Sequence, residues 1–309
     1  MQILITGYTG FIGTNLIRSV KNHVVNGLDI VKNNTVQQHF YWEDINKCNK
    51  ADCIIHLAGK VHDTKNTTDE QSYFDINTGL TKTIFDHFLK SNASKFIFFS
   101  SVKAVADTVE DSELTEETKP NPQTPYGRSK LEAEQYILNQ SLPKGKQVYI
   151  LRPSMIHGPG NKGNLNLLFK IVSKGIPWPL GAFKNRRSFT SIDNLNFIIK
   201  EIIEKDIEPG VYNVSDDNTL STNEIIELIA ASQNGNPKIL KLPVGLIKLA
   251  AKIGDIIHLP LNSERLKKLT ESYVVSNKKL KKALNINKMP ISATEGMEKT
   301  LASFKSVRL

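Results

Sequence analysis

The sequence predicts an α/β protein with a doubly wound parallel β-sheet and a smaller C-terminal α/β part. In the first half of the chain, short apolar runs alternate with stretches of helical periodicity, which is the pattern of repeated strand–helix units. The run at residues 96–99 is apolar throughout, as is typical of a strand buried on both faces of a parallel sheet. From residue 153 onward, prolines and glycines interrupt the chain, which favours a smaller and less regular unit.

In the first half of the chain, predicted strands alternate with predicted helices, which implies right-handed crossovers between parallel strands. The predicted strands are residues 3–6, 23–30, 52–58, 95–100 and 147–151, and the predicted helices are residues 11–20, 75–89 and 125–139. In the last of these helices we expect Glu132, Glu134 and Gln135 to be exposed. Further along, residues 211–214 are predicted as a strand and residues 280–284 as part of a lysine-rich helix. Ser221 followed by Glu224 is a capping-box signature that predicts a helix ending near residue 231.

The composition limits the class of protein. Of the 309 residues, 39% are hydrophobic and 23% charged, ordinary values for a globular protein that argue against a disordered, collagenous or fibrous chain. Cys48 and Cys53 are the only cysteines, too few for a disulfide scaffold, so a reducing compartment is expected. Lys and Arg number 40 against 31 Asp and Glu, a net charge of +9. This excess leaves nucleic acid, an anionic membrane surface and a phosphorylated small molecule as candidate partners.

The N-terminus predicts a buried strand, because no basic segment precedes its short apolar run as in a signal peptide. No run approaches the roughly 18 apolar residues of a spanning helix, so we expect no integral membrane segment and a cytoplasmic location. The nearest candidate, residues 244–259, is interrupted by Lys248, Lys252 and Asp255. Its periodicity predicts an amphipathic helix packed on the domain, and a helix on a membrane surface is the alternative.

A glycine-rich turn joins the first predicted strand to the first helix. Gly7, Gly10 and Gly13 form the pattern G-x-x-G-x-x-G, whose glycines allow a tight turn and a close approach to a pyrophosphate at the helix N-terminus. Asp29 ends the next strand, close to the roughly 20-residue interval expected for an acid that binds a ribose diol. An acid there favours NAD over NADP, although Lys32 is near enough in sequence to leave NADP possible.

A tyrosine and a lysine lie four residues apart in the helix predicted at residues 125–139. The spacing of Tyr126 and Lys130 puts both side chains on one helix face. A nearby ammonium group favours phenolate, so we expect the pKa of Tyr126 to be lowered and Tyr126 to act as a general base near neutral pH.

With these motifs, the chain resembles the extended short-chain dehydrogenase/reductase family, of the NAD-dependent epimerase/dehydratase kind. Besides the glycine turn and the Tyr126 and Lys130 pair, the resemblance rests on residues 56–59, Asn77, Ser100 with Ser101, and the segments 151–160 and 187–195. It covers nearly the whole chain and implies a Rossmann-like, NAD-binding domain at residues 1–153. It also implies a return to that domain near residues 187–215 and a mainly substrate-binding part at residues 154–309.

The resemblance implies roles for individual residues. Catalysis would involve Ser101, Tyr126 and Lys130, with Ser101 bonded to the reacting sugar oxygen. The implied cofactor-binding residues are Gly7, Gly10, Phe11, Ile12, Gly13, Asp29, Asp44, Ile45, Leu57, Ala58, Gly59, Asn77, Ser100, Tyr126, Lys130 and Pro153. On the substrate side, Ser101 would bind the sugar, Asn164 and Leu165 would touch the nucleotide, and Arg187 would clamp the diphosphate. A planar guanidinium group suits bidentate binding to phosphate oxygens.

Two positions depart from the family pattern. The family's S/T-x-x-V-Y-G segment reads Ser-Val-Lys-Ala-Val-Ala from Ser101, and a second alignment would put Val102 at the catalytic position. We prefer Ser101, because the chemistry needs a hydroxyl group. Met155 stands where many members carry Asn, which affects one substrate contact.

The resemblance implies an enzyme that acts at C4 of a UDP-hexose or UDP-N-acetylhexosamine in bacterial surface-polysaccharide synthesis. A 4-epimerase and a 4-ketoreductase both fit these residues. A 4,6-dehydratase is disfavoured, because Val102 and Lys103 stand where dehydratases carry Asp-Glu. Two alternatives are an epimerase of polyprenyl-diphosphate-linked sugars and a non-catalytic, dinucleotide-binding regulator.

The expected partners follow from the same resemblance. The basic excess then supports an anionic small-molecule substrate, since no nucleic-acid-binding motif accompanies the lysine-rich helices. We expect no metal site and no nucleic-acid partner. A homodimer through a helix bundle that includes the Tyr126 helix is expected by analogy.

Overall fold

The computed structural model describes residues 1–61, 69–109, 112–161, 163–257 and 262–306. These residues form nine strands, most of which are separated by helices. The strands are β1 (Gln2–Thr6), β2 (Val24–Leu28), β3 (Gln38–Phe40), β4 (Cys53–His56), β5 (Lys95–Phe99), β6 (Gln147–Pro153), β7 (Met155–His157), β8 (Phe189–Ser191) and β9 (Gly210–Val214). The helices of the first half are α1 (Phe11–Ser19), α2 (Gln71–Tyr73), α3 (Leu80–Lys90) and α4 (Pro125–Leu138). Those of the second half are α5 (Asn164–Ser173), α6 (Ile192–Glu204), α7 (Thr222–Ser232), α8 (Val244–Ile257), α9 (Ser263–Thr270), α10 (Lys278–Leu284) and α11 (Ala293–Ser306).

Seven strands form one parallel sheet in the order β3-β2-β1-β4-β5-β6-β9, which confirms the predicted fold class. From β1 the chain runs outward to β2 and β3, then crosses back to β4 and continues to the other edge. The strand order therefore reverses between β1 and β4. In open α/β sheets the crevice at the carboxyl ends of the strands beside such a switch point is where ligands bind.

Helices cover both faces of the sheet because the strands alternate their side chains between two cores. Ile3 and Ile5 of β1 belong to one core with α1, α6 and α10, whereas Leu4 belongs to the other with α3 and α4. The predicted apolar run of β5 shows the same division, with Ile97 on the first face and Phe96 on the second. Burial on both faces explains why these strands read as continuous apolar runs.

Three features differ from the sequence predictions. The helical segment predicted from residue 75 begins earlier, where the Asp69 carboxylate accepts a hydrogen bond from Gln71 N at 3.2 Å, and it passes through a π-helical stretch, Phe74–Gly79. Glu134 is buried, at 1% exposure, and not exposed as predicted. The short strands β3, β7 and β8 were not predicted, and β7 pairs with β8 in a separate two-stranded parallel sheet.

Strand β9 returns the chain to the main sheet after the segment that contains β7, α5, β8 and α6. It pairs with β6 and forms one edge of the sheet. On its open side, Asn213 N donates to the Glu116 carboxylate at 2.8 Å. How the chain divides into nucleotide-binding and substrate-binding parts stays a prediction.

Helix α8 corresponds to the amphipathic helix predicted at residues 244–259, whose last two residues lie outside the described residues. Ile247 and Ala251 pack into a cluster with Trp178 and Leu266, so one face of the helix contacts the domain. Within the described ranges, no helix has the length and apolar character needed to cross a membrane.

Candidate active site

The glycine turn lies at the switch point of the sheet, between β1 and α1. Gly7 has a φ of +67°, and a Cβ atom there would lie 2.7 Å from the backbone of Ala58. A Cβ atom on Gly13 would lie 2.5 Å from the carbonyl oxygen of Tyr8. The turn therefore needs glycine both for its conformation and for its close packing against the end of β4.

The first turn of α1 leaves backbone N–H groups available. The first helical hydrogen bond of the helix runs from Thr14 N to Gly10 O at 3.0 Å, so the N–H groups of Phe11, Ile12 and Gly13 precede it. Such groups, at the positive end of a helix dipole, suit a pyrophosphate. These residues fit the dinucleotide that the sequence predicts there.

Asp29 follows β2 at the same edge of the sheet and is 8% exposed. Its carboxylate accepts hydrogen bonds from Thr9 N at 3.1 Å, Thr9 Oγ1 at 2.8 Å and Ile30 N at 2.7 Å. Three N–H or O–H donors fix the carboxylate beside the glycine turn, where an acceptor for a ribose diol is needed. Thr9 is a residue that sequence reasoning missed, although it lies inside the glycine motif.

Asp44 and Ile45 lie in a 3₁₀ helix, Trp42–Lys47, that follows β3 at this edge. Ile45 packs against the core between the sheet and α3, whereas Asp44 pairs with Lys47 at 2.6 Å. The hydrogen bond from Lys47 is the largest cause of the lowered pKa of Asp44. Their predicted contact with the adenine stays a prediction.

Leu57, Ala58 and Gly59 follow β4 and face the glycine turn. Asn77, fully buried in the π-helical stretch, holds the next residue by accepting from Lys60 N at 2.8 Å and donating to Lys60 O at 3.0 Å. Its amide also donates to Ser129 Oγ at 3.0 Å. The structure thus gives Asn77 a positioning role between this loop and α4, in addition to its predicted place near the cofactor.

Ser101, Tyr126 and Lys130 converge at the carboxyl end of β5. Ser101 follows the strand, and its side chain is near enough to lower the pKa of Tyr126. Tyr126 lies in the first turn of α4, and Thr124, the N-cap residue, accepts from Gly127 N at 3.2 Å. Lys130, one turn later, donates from Nζ to Phe99 O at 2.8 Å. Val102, the alternative to Ser101, is 4% exposed and packs in a small apolar cluster.

The pKa of Tyr126 differs from the sequence expectation. Burial raises it above the ordinary value of 10.0, and the hydrogen bond with Ser101 lowers it only in part. Burial also lowers the pKa of Lys130 from 10.5 to about 8, against the attraction of Glu134. The reason is geometric: the Lys130 ammonium group is directed at the Phe99 carbonyl, so spacing on one helix face did not make it a direct partner of the phenol.

Ser100, which directly follows β5, and Pro153, the last residue of β6, are two further predicted residues beside this group. The hydroxyl of Ser100 donates to Glu134, which also forms a buried ion pair with Arg152. Pro153 ends β6 opposite Val214 of β9. Sequence reasoning missed Glu134 as a site residue, although it follows Tyr126 and Lys130 at the same four-residue spacing.

The predicted substrate side adjoins Ser101. Arg187 is half-buried and donates from Nη1 to Lys268 O at 2.9 Å. Lys103 Nζ donates to Asp107 O at 2.7 Å and lies 4.4 Å from the ring centroid of Tyr273. Tyr273 in turn donates to Ala106 O at 2.7 Å, which joins the segment after Ser101 to the segment beside Arg187.

Burial lowers the pKa values of Lys103 and Arg187, and no carboxylate forms an ion pair with either among the residues that the structure covers. Two cations held away from water without such a partner favour an anionic ligand.

Asn164 and Leu165 are the first two residues of α5, and they differ in their exposure to solvent. Asn164 is exposed, but Leu165 is 8% exposed and packs with Phe169 and Met297. The backbone of this turn, more than the Leu165 side chain, is therefore available to a ligand. Within the described parts of the chain, no group of three or more His, Cys, Asp or Glu residues has the arrangement of a metal site.

Comparison with known proteins agrees with this geometry. Residues 3–215 match the NAD dependent epimerase/dehydratase family. The chain is 30% identical over 326 aligned positions to the UDP-glucose 4-epimerase of Vibrio cholerae, covering 98% of this chain and 95% of that protein. It is 27% identical to the N-acetyl-alpha-D-glucosaminyl-diphospho-ditrans,octacis-undecaprenol 4-epimerase of Escherichia coli O157:H7, covering 91% and 85%.

Solved structures show the same fold. UDP-N-acetylglucosamine 4-epimerase from Bacillus cereus superposes with a TM-score of 0.79 at 21% identity, covering 99% of both chains. UDP-glucuronic acid 4-epimerase from the same organism, in complex with NAD, superposes with a TM-score of 0.74 at 21% identity and covers both chains fully. The glycine turn, the Ser101, Tyr126 and Lys130 group and the match over residues 3–215 lead to one conclusion: the chain belongs to the NAD-dependent epimerase/dehydratase family of enzymes.

Proposed function

We propose that this protein is a 4-epimerase that acts on a UDP-linked hexose or N-acetylhexosamine in bacterial surface-polysaccharide synthesis. The observation that carries the proposal is the arrangement of three residues at the end of β5: Ser101 follows the strand, Tyr126 lies in the first turn of α4, and Lys130, one turn later, donates from Nζ to Phe99 O at 2.8 Å. The names of both relatives support epimerisation at C4 of a glucose- or N-acetylglucosamine-type sugar, and that of the Vibrio cholerae relative supports a UDP-linked one.

The residues at the switch point fit NAD, because the glycine turn, the first turn of α1 and the Asp29 carboxylate offer the donors and the acceptor that a dinucleotide needs. When bound, NAD supplies the site that accepts a hydride from the sugar and returns it. Asp29 would hold the ribose diol and the N–H groups of Phe11 to Gly13 the pyrophosphate. Leu57, Ala58 and Gly59, which precede the Lys60 backbone held by Asn77, would line the cofactor.

The protein's own part is to move a proton at the sugar hydroxyl. Ser101 would bond the C4 oxygen and orient it towards Tyr126, whose phenolate oxygen would take the hydroxyl proton and later return it. Lys130, with a pKa of about 8, is mostly protonated at neutral pH. In the protein alone its ammonium group is bonded to the Phe99 carbonyl, and burial raises the pKa of Tyr126.

The residues after Ser101 support an epimerase over a dehydratase. Removal of a C6 hydroxyl group needs an additional acid and base. Val102 is buried among apolar side chains, and Lys103 is bonded to Asp107 O beneath the Tyr273 ring. Neither residue can do that work.

The two half-buried cations beside Ser101, Lys103 and Arg187, support a substrate that carries a diphosphate. Arg187 would bind it in a bidentate manner, with Lys103 as a neighbouring charge. Their burial without an ion-paired carboxylate costs free energy that an anionic ligand offsets.

A test must separate the epimerase from a 4-ketoreductase, which would use the same three residues once and consume NAD(P)H. One sample of the purified protein is denatured, and the cofactor that it releases is measured. A second, native sample is incubated with UDP-N-acetylglucosamine without added cofactor. Retained NAD and formation of the galacto isomer support the proposal. A protein free of cofactor that oxidises NAD(P)H with a 4-keto-6-deoxy UDP-sugar is a reductase and contradicts it.

A second candidate is an epimerase of polyprenyl-diphosphate-linked sugars, which the exposed apolar side of α8 favours. Leu249, Ile253 and Ile256 are 57%, 47% and 76% exposed on that helix. Incubation with polyprenyl-diphosphate-N-acetylglucosamine in detergent, against the UDP-sugar at equal concentration, decides between the two. Turnover of the lipid-linked sugar alone would favour the second candidate.

Two finer expectations accompany the proposal. A cytoplasmic location is supported by Cys48 and Cys53, which are both free and buried. A homodimer stays a prediction by analogy. The non-catalytic regulator is disfavoured, because Tyr126 and Lys130 are both present and the chain belongs to a family of enzymes.

A further inference from the structure

Helix α8 has two apolar faces, and only one of them contacts the rest of the protein. Ile247, Ala251 and Gly254 are buried against the domain. On the opposite side, five large apolar side chains are exposed, and their spacing along the chain places them on one face of the helix. They are Leu246 (57%), Leu249 (57%), Ile253 (47%), Ile256 (76%) and Ile257 (59%), which together with the exposed Ala250 we call the outer face of α8.

This outer face is a concentrated patch and not a scatter of single exposed residues. At 100° per residue, its six members fall within an arc of roughly 120° on the helix. Single exposed apolar residues are normal on soluble proteins, but a contiguous apolar stripe of this kind marks an interaction surface. Lys248 and Lys252, both exposed, border the stripe on one side, between it and the buried face.

The charge around the outer face identifies the partner. Between residues 238 and 268 there are seven Lys and Arg but only two Asp and Glu, so this short stretch carries +5 of the net charge of +9. One of the two acids, Asp255, is engaged, since it accepts from Ser263 N at 2.9 Å and Ser263 Oγ at 2.5 Å at the start of α9. An apolar stripe bordered by lysines is the pattern of a helix that lies on an anionic lipid surface.

A second copy of this chain fits the face less well. In a symmetric pair the same patch meets itself, so the lysines of one α8 would approach those of the other. Like charges placed opposite one another oppose association. A stable protein interface also needs about 20–30 residues a side, whereas this face has six residues.

We propose that α8 docks this protein on anionic phospholipid, with the outer face inserted among the lipid headgroups and Lys248 and Lys252 beside their phosphates. Hydrogen bonds link the helix to the predicted substrate side: Asp255 accepts from Ser263 at the start of α9, and Lys268 O near the end of α9 accepts from Arg187 at 2.9 Å. Docking through α8 therefore brings the segment that holds Arg187 near the lipid surface. This last step rests on the proposed function, but the docking itself does not.

The test is co-sedimentation of the full chain with vesicles, without substrate. Vesicles of phosphatidylcholine with phosphatidylglycerol are compared with vesicles of phosphatidylcholine alone at about 0.1 M salt, where exposed charges are partly screened. We expect binding to the anionic vesicles that weakens as salt is raised. The variant Leu249→Ser/Ile253→Ser/Ile256→Ser should lower the partition coefficient at least about 100-fold, and Leu138→Ser/Leu142→Ser, which changes exposed leucines elsewhere, should leave it unchanged.

A second variant keeps the test independent of folding. Lys248→Gln/Lys252→Gln changes only exposed side chains and should weaken binding to anionic vesicles about five-fold per lysine. Epimerisation of a free UDP-sugar should be unchanged in both variants, so a failure of the proposed activity is seen separately. Absence of vesicle binding overturns the proposal, as does equal binding by the wild type and the triple serine variant. A wild-type dimer that the triple serine variant converts to monomer also overturns it, because the face would then bind a second copy.

Discussion

Glu134 and Arg152 form a buried ion pair behind the group of Ser101, Tyr126 and Lys130. The Arg152 Nε atom lies 2.9 Å and 3.1 Å from the two carboxylate oxygens, and both side chains are less than 10% exposed. The same carboxylate accepts the hydroxyl of Ser100, the residue before Ser101. The pair thus connects helix α4, which carries Tyr126, to the strands β5 and β6.

Removal of one partner of this pair should be strongly destabilising. Glu134→Ala leaves the Arg152 guanidinium group buried without a counter-charge and should lower the free energy of unfolding by about 3–5 kcal/mol. Urea unfolding followed by circular dichroism measures the change. The matched control is Glu132→Ala on the same helix, whose half-exposed pair with Lys82 should contribute less than about 1 kcal/mol. Equal effects of the two substitutions would contradict the assignment.

Tyr126→Phe should abolish turnover and leave cofactor binding intact. The substitution removes the hydroxyl that transfers the proton, and loss of a general acid–base group lowers kcat by about 10²–10⁴-fold. Turnover with the UDP-sugar and the NAD content of the purified protein are measured together. Tyr136→Phe, on the same helix, removes a hydroxyl that donates only to Asp86 at 2.5 Å, and its kcat should match the wild type. Full activity of the Tyr126 variant would contradict the proposed mechanism.

Lys130 should make the free energy of unfolding depend on pH in a way that is absent from the variant Lys130→Met. Because burial lowers the pKa of Lys130 from 10.5 to about 8, between these pH values the unfolded chain binds a proton that the folded protein lacks. Stability therefore rises with pH across this window. Relative to Lys130→Met, the wild type should gain on the order of 3 kcal/mol between pH 8 and pH 10.5.

Denaturant unfolding of both proteins at several pH values measures this difference, since groups other than Lys130 titrate alike in both. A constant difference across the window would show that the ammonium group is not buried as described. The variant should also lose turnover at every pH.

Asp29→Asn should weaken NAD binding without unfolding the protein. The substitution replaces one acceptor oxygen with an NH₂ donor. The side chain therefore loses an acceptor for the ribose, and its hydrogen bonds with Thr9 lose the help of the negative charge. Hydrogen bonds to charged groups contribute about 1.5–3 kcal/mol, which corresponds to roughly a 10–100-fold rise in the Kd for NAD. Titration of cofactor-free protein with NADH, followed by fluorescence, measures it. Asp75→Asn, which changes an acid bonded to Gln71 elsewhere, should bind NADH as the wild type does.

The parallel sheet was predictable because its strands are buried on both faces and so read as apolar runs. The run at residues 95–100 became β5 (Lys95–Phe99), and the strand at residues 211–214 became β9, one residue longer. Strands β7 and β8 have three residues each and lie in a separate small sheet, so no run or periodicity marks them. Their pairing depends on tertiary contacts that a local pattern does not contain.

The positions of several candidate site residues could be predicted from the sequence, but their electrostatics could not. The places of the glycine turn, of Asp29 after β2 and of the Tyr126 and Lys130 pair on one helix follow from spacing alone. The direction in which Lys130 points depends on the Phe99 carbonyl, and the burial of Glu134 depends on Arg152, which lies 18 residues away on another element. A glutamate in a helix is usually solvent-exposed, so only the partner explains why this one is not.

The pairing of β6 with β9 has a consequence for any shortened form of this chain. Fifty-six residues separate the end of β6 from the start of β9, so a product that ends between them would expose the whole edge of β6. That edge includes the buried residues Tyr149, Ile150 and Leu151 and would be a template for adding strands from other molecules. In the full chain β9 covers it, and Glu116 binds the backbone of Asn213 on the outer side. The last strand of the sheet thus protects the protein against aggregation.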